Sequence, residues 1–191
     1  MLGIFLDTET NGLNPHKHCV LEIAYKIINV QTGVLVEAYE AVVAQEKQRW
    51  EAKDPRSLLI NGFSWEVVAK GLPGGQITQE IIEGFTKCGV ERGRAVFICQ
   101  NPSFDRAFFS QLIDPDIQES LNWPYHWLDL ASMFWATHIQ KPPHPWTTGV
   151  SKDKISEVYQ LPPEAKPHRA MNGVNHLLAC YEAVVGFSTA N

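Results

Sequence analysis

Phe5-Leu6-Asp7-Thr8-Glu9-Thr10-Asn11-Gly12-Leu13 is an apolar run that ends on two carboxylates two residues apart and then turns. Side chains alternate across a strand with period two, so Asp7 and Glu9 share one face while Thr8 and Thr10 share the other. Two like charges that close lose solvation and repel unless a positive charge lies between them. Hard divalent cations, which take oxygen ligands at roughly 2 Å, are the natural resolution. Taken alone, an Asp-x-Glu pair is more often a solvated decoration. Here Met1 to Leu6 reads as a buried strand and Asn11-Gly12 as a turn directly after it, which favours a built site.

Working outward, Cys19 to Val30 and Val34 to Val43 read as two strands joined at Gln31-Thr32-Gly33, an antiparallel start to a sheet. Residues 45 to 75 read as irregular, with short helical pieces punctuated by Pro55, Gly62, Pro73 and Gly74-Gly75. Thr78 reads as the cap of a helix running to about Glu91, with Glu80, Glu83, Lys87 and Glu91 on its wet face. The pattern then alternates: a strand over Ala95 to Cys99, a helix from Ser103 to about Ile113, a strand over Tyr125 to Leu128 and a helix from Leu130 to Ile139. The proline-bearing stretch from Gln140 to Gly149 reads as a loop, Lys152 to Tyr159 as a short helix, and Ala170 to about Phe187 as the last helix. No repeat, low-complexity tract or linker interrupts the chain. An antiparallel beginning followed by βα crossovers predicts an α/β three-layer fold in one domain over residues 1–191.

The composition fits that expectation. The chain has 191 residues, 45% apolar and 19% charged, enough for one sizeable core. A net charge of -5 excludes a basic nucleic-acid coat, so a phosphate-bearing substrate would be held by metal ions or local contacts. Four scattered cysteines, Cys19, Cys88, Cys99 and Cys180, form no Cys-x-x-Cys pair, which points to reduced thiols and to a cytoplasmic setting. Met1-Leu2-Gly3-Ile4-Phe5-Leu6 has no basic leader, and nowhere do about 18 apolar residues occur together, so no membrane partner is expected.

Two further clusters carry chemistry. Asn101-Pro102-Ser103-Phe104-Asp105 lies where the fourth strand gives way to a helix, at the carboxyl edge where α/β sheets tend to hold ligands. Alone, Asp105 reads as a helix-dipole carboxylate, and at least two of Phe104, Phe108 and Phe109 read as core. His168-Arg169-Ala170-Met171 stands just ahead of the last helix. A lone histidine there is more often structural, yet its pKa suits it to accept a proton from water near neutral pH.

Together these segments resemble the DEDDh family of 3′→5′ exonucleases over nearly the whole chain. Phe5 to Leu13 is similar to the first exonuclease motif, Asn101 to Asp105 to the second, and Pro167-His168-Arg169-Ala170-Met171 to the start of the third, His-x-Ala-x-x-Asp. Asn61-Gly62-Phe63 resembles the family's turn beside the substrate, and Leu128-Asp129-Leu130 the segment before a later helix. The resemblance implies a ribonuclease H-like fold with a mixed five-stranded sheet. It also implies hydrolysis at the 3′ end of single-stranded or other nucleic acid, DNA or RNA, with two Mg²⁺ or Mn²⁺ ions in a complete site. In that pattern Asp7, Glu9 and Asp105 are metal ligands, with His168 as the base. Thr10, Gly12, Leu13, Phe63 and Asn101 border the substrate: Gly12 permits close backbone approach, Leu13 wedges against the last base, and Phe63 or Trp65 stacks, with core packing as the alternative for these two aromatics. The resemblance leaves homodimer formation open.

One position departs from the family. Five residues after His168, where the fourth acidic ligand belongs, stands Gly173. The expectation is weaker metal affinity and an exonuclease slowed or disabled. Asn172 offers a neutral oxygen only if the helix start is shifted, and His176, one turn further, reads as an ordinary helix-surface residue. The alternative is a non-catalytic relative that holds nucleic acid or a partner in the same cleft. A phosphodiesterase acting on small nucleotides is a third reading. His16 and His18 around Lys17 read as a solvated turn, and Trp123, Trp127, Trp135 and Trp146 as core or loop anchors.

Overall fold

β1 (Leu2–Thr10) is the organising element of the computed structural model, which describes residues 1–188. The last three positions of the domain expected over 1–191 lie outside the described residues. β1 pairs antiparallel with β2 (Val20–Asn29), and β2 pairs antiparallel with β3 (Val34–Val42). On its other side β1 runs parallel to β4 (Ala95–Cys99), which runs parallel to β5 (Trp127–Asp129). The result is a mixed five-stranded sheet in the order β3-β2-β1-β4-β5.

Alternation along β1 divides the core into two. Ile4 and Leu6 face a cluster with Ile77, Ile81 and Phe85 of α4 (Gly74–Cys88) and Phe108 and Phe109 of α5 (Pro102–Phe109). Phe5 points the opposite way, to Leu130 and Phe134 of α7 (Leu130–His138), Ile155 of α9 (Lys152–Tyr159) and Val174 and Leu177 of α10 (Ala170–Val184). Helices therefore cover both faces, the three-layer arrangement expected from the strand and helix pattern.

The irregular stretch holds α1 (Lys47–Glu51), α2 (Pro55–Asn61) and α3 (Trp65–Val68), packed around Trp50, Phe63 and Val68. α6 (Pro115–Ser120) and α8 (Pro145–Thr148) are short helices in segments where none was expected. Several boundaries also differ. α4 starts at Gly74 rather than at Thr78, because the Thr78 hydroxyl donates to Gly74 O and Leu112 O inside the helix instead of capping it. α5 ends at Phe109, and β5 lies two residues later than Tyr125. Phe108 and Phe109 are fully buried, Trp123 and Trp127 pack in the core, and all four cysteines are free. Trp135 and Trp146, in contrast, are 41% and 59% exposed, with ring centroids 5.9 Å apart. No helix among the described residues is long and apolar enough to cross a membrane.

Candidate active site

Parallel pairing of β1 with β4 brings their carboxyl ends to one edge, and the chain continues there into α5. The helix thereby delivers Asp105 to β1. The Thr8 backbone N–H and hydroxyl both donate to Asp105 Oδ1, at 3.0 and 2.9 Å. Thr8 is on the α5 side of the strand, so Asp7 and Glu9 face the α10 side, as alternation requires. Asp7, Thr8, Glu9, Asp105 and His168 line one cavity of about 280 Å³, with Phe104, Gln100, Ser151, Lys152, Asp153 and Glu164 completing it.

α10 closes the site from the other side. Its first amide, Ala170 N–H, donates to Glu22 Oε2 of β2 at 2.7 Å, a carboxylate brought from far along the chain to satisfy an orphan helix-start donor. The preceding turn is fixed by His168 N–H donating to Ile60 O at 3.2 Å, which ties it to the Asn61-Gly62-Phe63 segment. Gly62 adopts the left-handed conformation that ends α2, and Asn61 Nδ2 donates to Thr10 O at 3.0 Å. Asp129 caps α7 and also accepts the Asn101 N–H at 3.1 Å, which accounts for the Leu128-Asp129-Leu130 segment as a joint between β4 and α7.

Two residues that the sequence did not single out dominate the electrostatics. Lys152 Nζ lies 3.1 Å from Asp7 Oδ1 and 3.2 Å from Glu164 Oε2, and it donates to Gly173 O at 3.4 Å. Glu164 Oε1 in turn lies 3.3 Å from His168 Nδ1, and Oε2 lies 3.4 Å from His176 Nδ1. Burial works against the charged form of Lys152, but Asp7 and Glu164 more than offset it and hold the ammonium ionised. Burial would likewise raise Glu164, yet His176, Lys152 and His168 bring its carboxyl down to about 2. Burial pushes Glu9 up to about 8, reinforced by Asp7 and opposed by Asn61. Asp105 is raised well above the usual carboxylate range by burial and by Asp7, against the Thr8 hydrogen bond. Asp7 is raised by burial, with Lys152 pulling it down. The cluster has more buried acid than its one lysine balances.

Several expected contacts are arranged differently. Thr10, Gly12, Leu13, Phe63 and Asn101 do not line the cavity. Phe63 is only 4% exposed, and Arg169 lies over its ring at 4.0 Å, so the face expected to stack on a base is covered. A Cβ at Gly12 would meet the ring of His18, which is half-buried against this turn. The Thr10 hydroxyl donates to Gly12 O at 2.8 Å, and the Asn101 side chain accepts from Ser103 Oγ at 2.7 Å. Leu13 is 70% exposed. His176 is buried against Glu164 instead of lying on the helix surface. α10 starts at Ala170 as expected, and Asn172 does not line the cavity.

Gly173 lies directly against Asp7. A Cβ built there would collide with the Asp7 carboxylate, which occupies the space a side chain at 173 would need. The oxygen-rich side chains are chemically suited to a hard cation. Their arrangement is not: Lys152 holds Asp7, and among the described residues no three His, Cys, Asp or Glu side chains are grouped to hold a metal ion. As folded, these residues do not fit the two-ion centre that the family resemblance implies.

No protein-family model and no curated protein sequence matches the chain. Solved structures do. The zinc-bound form of E. coli exonuclease I in complex with single-stranded DNA superposes with a TM-score of 0.78 at 16% identity, covering 96% of this chain and 40% of that one. Exonuclease I from Methylocaldum szegediense gives 0.76 at 18% identity, with the same coverage. Cell-death related nuclease 4 gives 0.73 at 14% identity, covering 98% of this chain and 65% of that one. The fold is ribonuclease H-like and exonuclease-like. The chain spans about two fifths of the length of the exonuclease I chains it matches.

Proposed function

We propose that this chain is a nuclease-type enzyme, a 3′→5′ exonuclease of the DEDDh type that receives the 3′ end of single-stranded nucleic acid and hydrolyses it slowly. The observation that carries the proposal is the convergence of Asp7, Glu9, Asp105 and His168 on one cavity at the carboxyl edge of β1 and β4. Those four residues match the ordered motifs of the resemblance, although they lie on three separate stretches of chain. Complexes of E. coli exonuclease I with dT13 and dA16 oligonucleotides support single-stranded DNA as the substrate class.

The chain's own groups divide the work by position. Glu164 faces His168 Nδ1 and orients the ring, leaving Nε2 to take a proton from water. Thr8 aims Asp105 into the cleft. Exposed Leu13 offers an apolar edge to the terminal base. Mg²⁺ or Mn²⁺, the cofactor that the resemblance implies, would be held by Asp7, Glu9 and Asp105 only once Lys152 leaves Asp7, and low activity follows from that lysine and from Gly173.

The same lysine favours a second reading, a non-catalytic holder of nucleic acid. The two are separated with a 5′-labelled single-stranded oligonucleotide in Mg²⁺ or Mn²⁺, run beside a copy blocked at its 3′ end. Progressive shortening of the free end alone supports the exonuclease. Binding of both oligonucleotides with no shortening, in either metal and over hours, replaces it with the holder.

A further inference from the structure

We propose that the Lys152 ammonium is the resident cation of this cleft, a tethered charge at Asp7 that a divalent ion must displace to bind. The inference rests on reading the cleft as a nuclease-type site and names which of the chain's own residues controls its cation.

Three oxygens surround Nζ: Asp7 Oδ1, Glu164 Oε2 and the Gly173 carbonyl. They match the three donors of an ammonium group. The side chains are nearly dry, at 14% exposure for Lys152, 16% for Asp7 and 4% for Glu164. Lys152 is also the first residue of α9, whose N-terminus is capped by Ser151 and whose flank packs on α10, so its stem starts from fixed backbone.

Lys152, Glu164 and Gly173 make sense only together. With glycine at 173, the Asp7 carboxylate advances onto α10 and the Gly173 carbonyl is open to the ammonium. An aspartate at 173 would collide with Asp7 in this position. Glu164, from the loop between α9 and α10, supplies the second negative charge without which the buried lysine would have only one acidic partner. A side chain that merely drifted into a solvent-filled cleft would have no reason to be matched on three sides.

The test compares Mn²⁺ binding, followed by electron paramagnetic resonance without nucleic acid, in the full-length wild type, Lys152→Gln and the double variant Lys152→Gln/Glu164→Gln. The double variant is the decisive one, because it removes one positive and one negative charge and leaves the cluster's net charge unchanged. Tighter binding in it therefore reports the release of Asp7 and not a stronger general field. We expect affinity to rise about tenfold or more in the double variant and further in the single one. A folded double variant that binds Mn²⁺ no more tightly than wild type overturns the proposal. In metal-free wild type, Lys152 should also resist reductive methylation relative to the exposed Lys87, and equal labelling of the two overturns it independently. Neither readout uses oligonucleotide trimming, so loss of the exonuclease reading and loss of this one are separate results.

Discussion

Gly173 shows how a single atom decides what the cleft holds. Because a Cβ at 173 meets the Asp7 carboxylate, Gly173→Ala is expected to lower stability by about 1–3 kcal/mol, as overpacking does. The loss should shrink in an Asp7→Ala background, and urea unfolding of the four proteins measures the coupling. For the same reason Gly173→Asp alone is not expected to restore a complete site: the added carboxylate and Asp7 compete for one space while Lys152 holds Asp7 forward. Glu9 makes a pH-dependent prediction. Its folded pKa of about 8 lies above the ordinary 4.5, so between those values the native state keeps a proton that the unfolded chain releases. Stability therefore falls as pH rises through that window. Without divalent ions, Glu9→Gln should raise Tm more at pH 8.5 than at pH 4.5, and an equal change at both would rule this out. At this scale the pairing of Asp7 with Glu9 was legible because strand alternation is a local rule. Lys152 and Glu164 were not, since a lysine opening a helix and a glutamate between prolines have no local feature that distinguishes them from surface residues.

Among the elements, α10 closes the site opposite α5, and its start depends on a carboxylate from β2. Removing that acceptor with Glu22→Ala leaves the Ala170 N–H without its 2.7 Å partner and should cost about 1–3 kcal/mol. Glu22→Gln keeps an acceptor oxygen and should cost less. Hydrogen exchange at 170–173 is the direct measurement, and unchanged protection in Glu22→Ala would show that the helix start is held otherwise. Strand periodicity and the proline and glycine punctuation made β1 to β4, α9 and the start of α10 readable. They failed where a side chain acts on distant backbone, as with the Thr78 hydroxyl reaching Leu112 O. Phe63 was open between base stacking and core packing, and its burial beneath Arg169 depends on two segments meeting.

For the molecule as a whole, a net charge of -5 limits how nucleic acid can be held. An acidic protein recruits few phosphates by its general field, so binding of a single-stranded oligonucleotide should weaken only gently with salt. A log–log slope of magnitude about 2 or less corresponds to roughly three phosphates or fewer at about 0.7 per contact. Anisotropy titrations across a salt series test this, and a much steeper slope would reveal a basic track that the charge balance hides. The sequence by itself determined the alternating carboxylates, the order of the strands and of the longer helices and the layered fold they build, because each follows from periodicities within a few residues. Only the tertiary structure decided what fills the cleft. Lys152 meets Asp7 across 145 positions of chain and Gly173 across 21, and a charge is paired or bare according to which segments pack together.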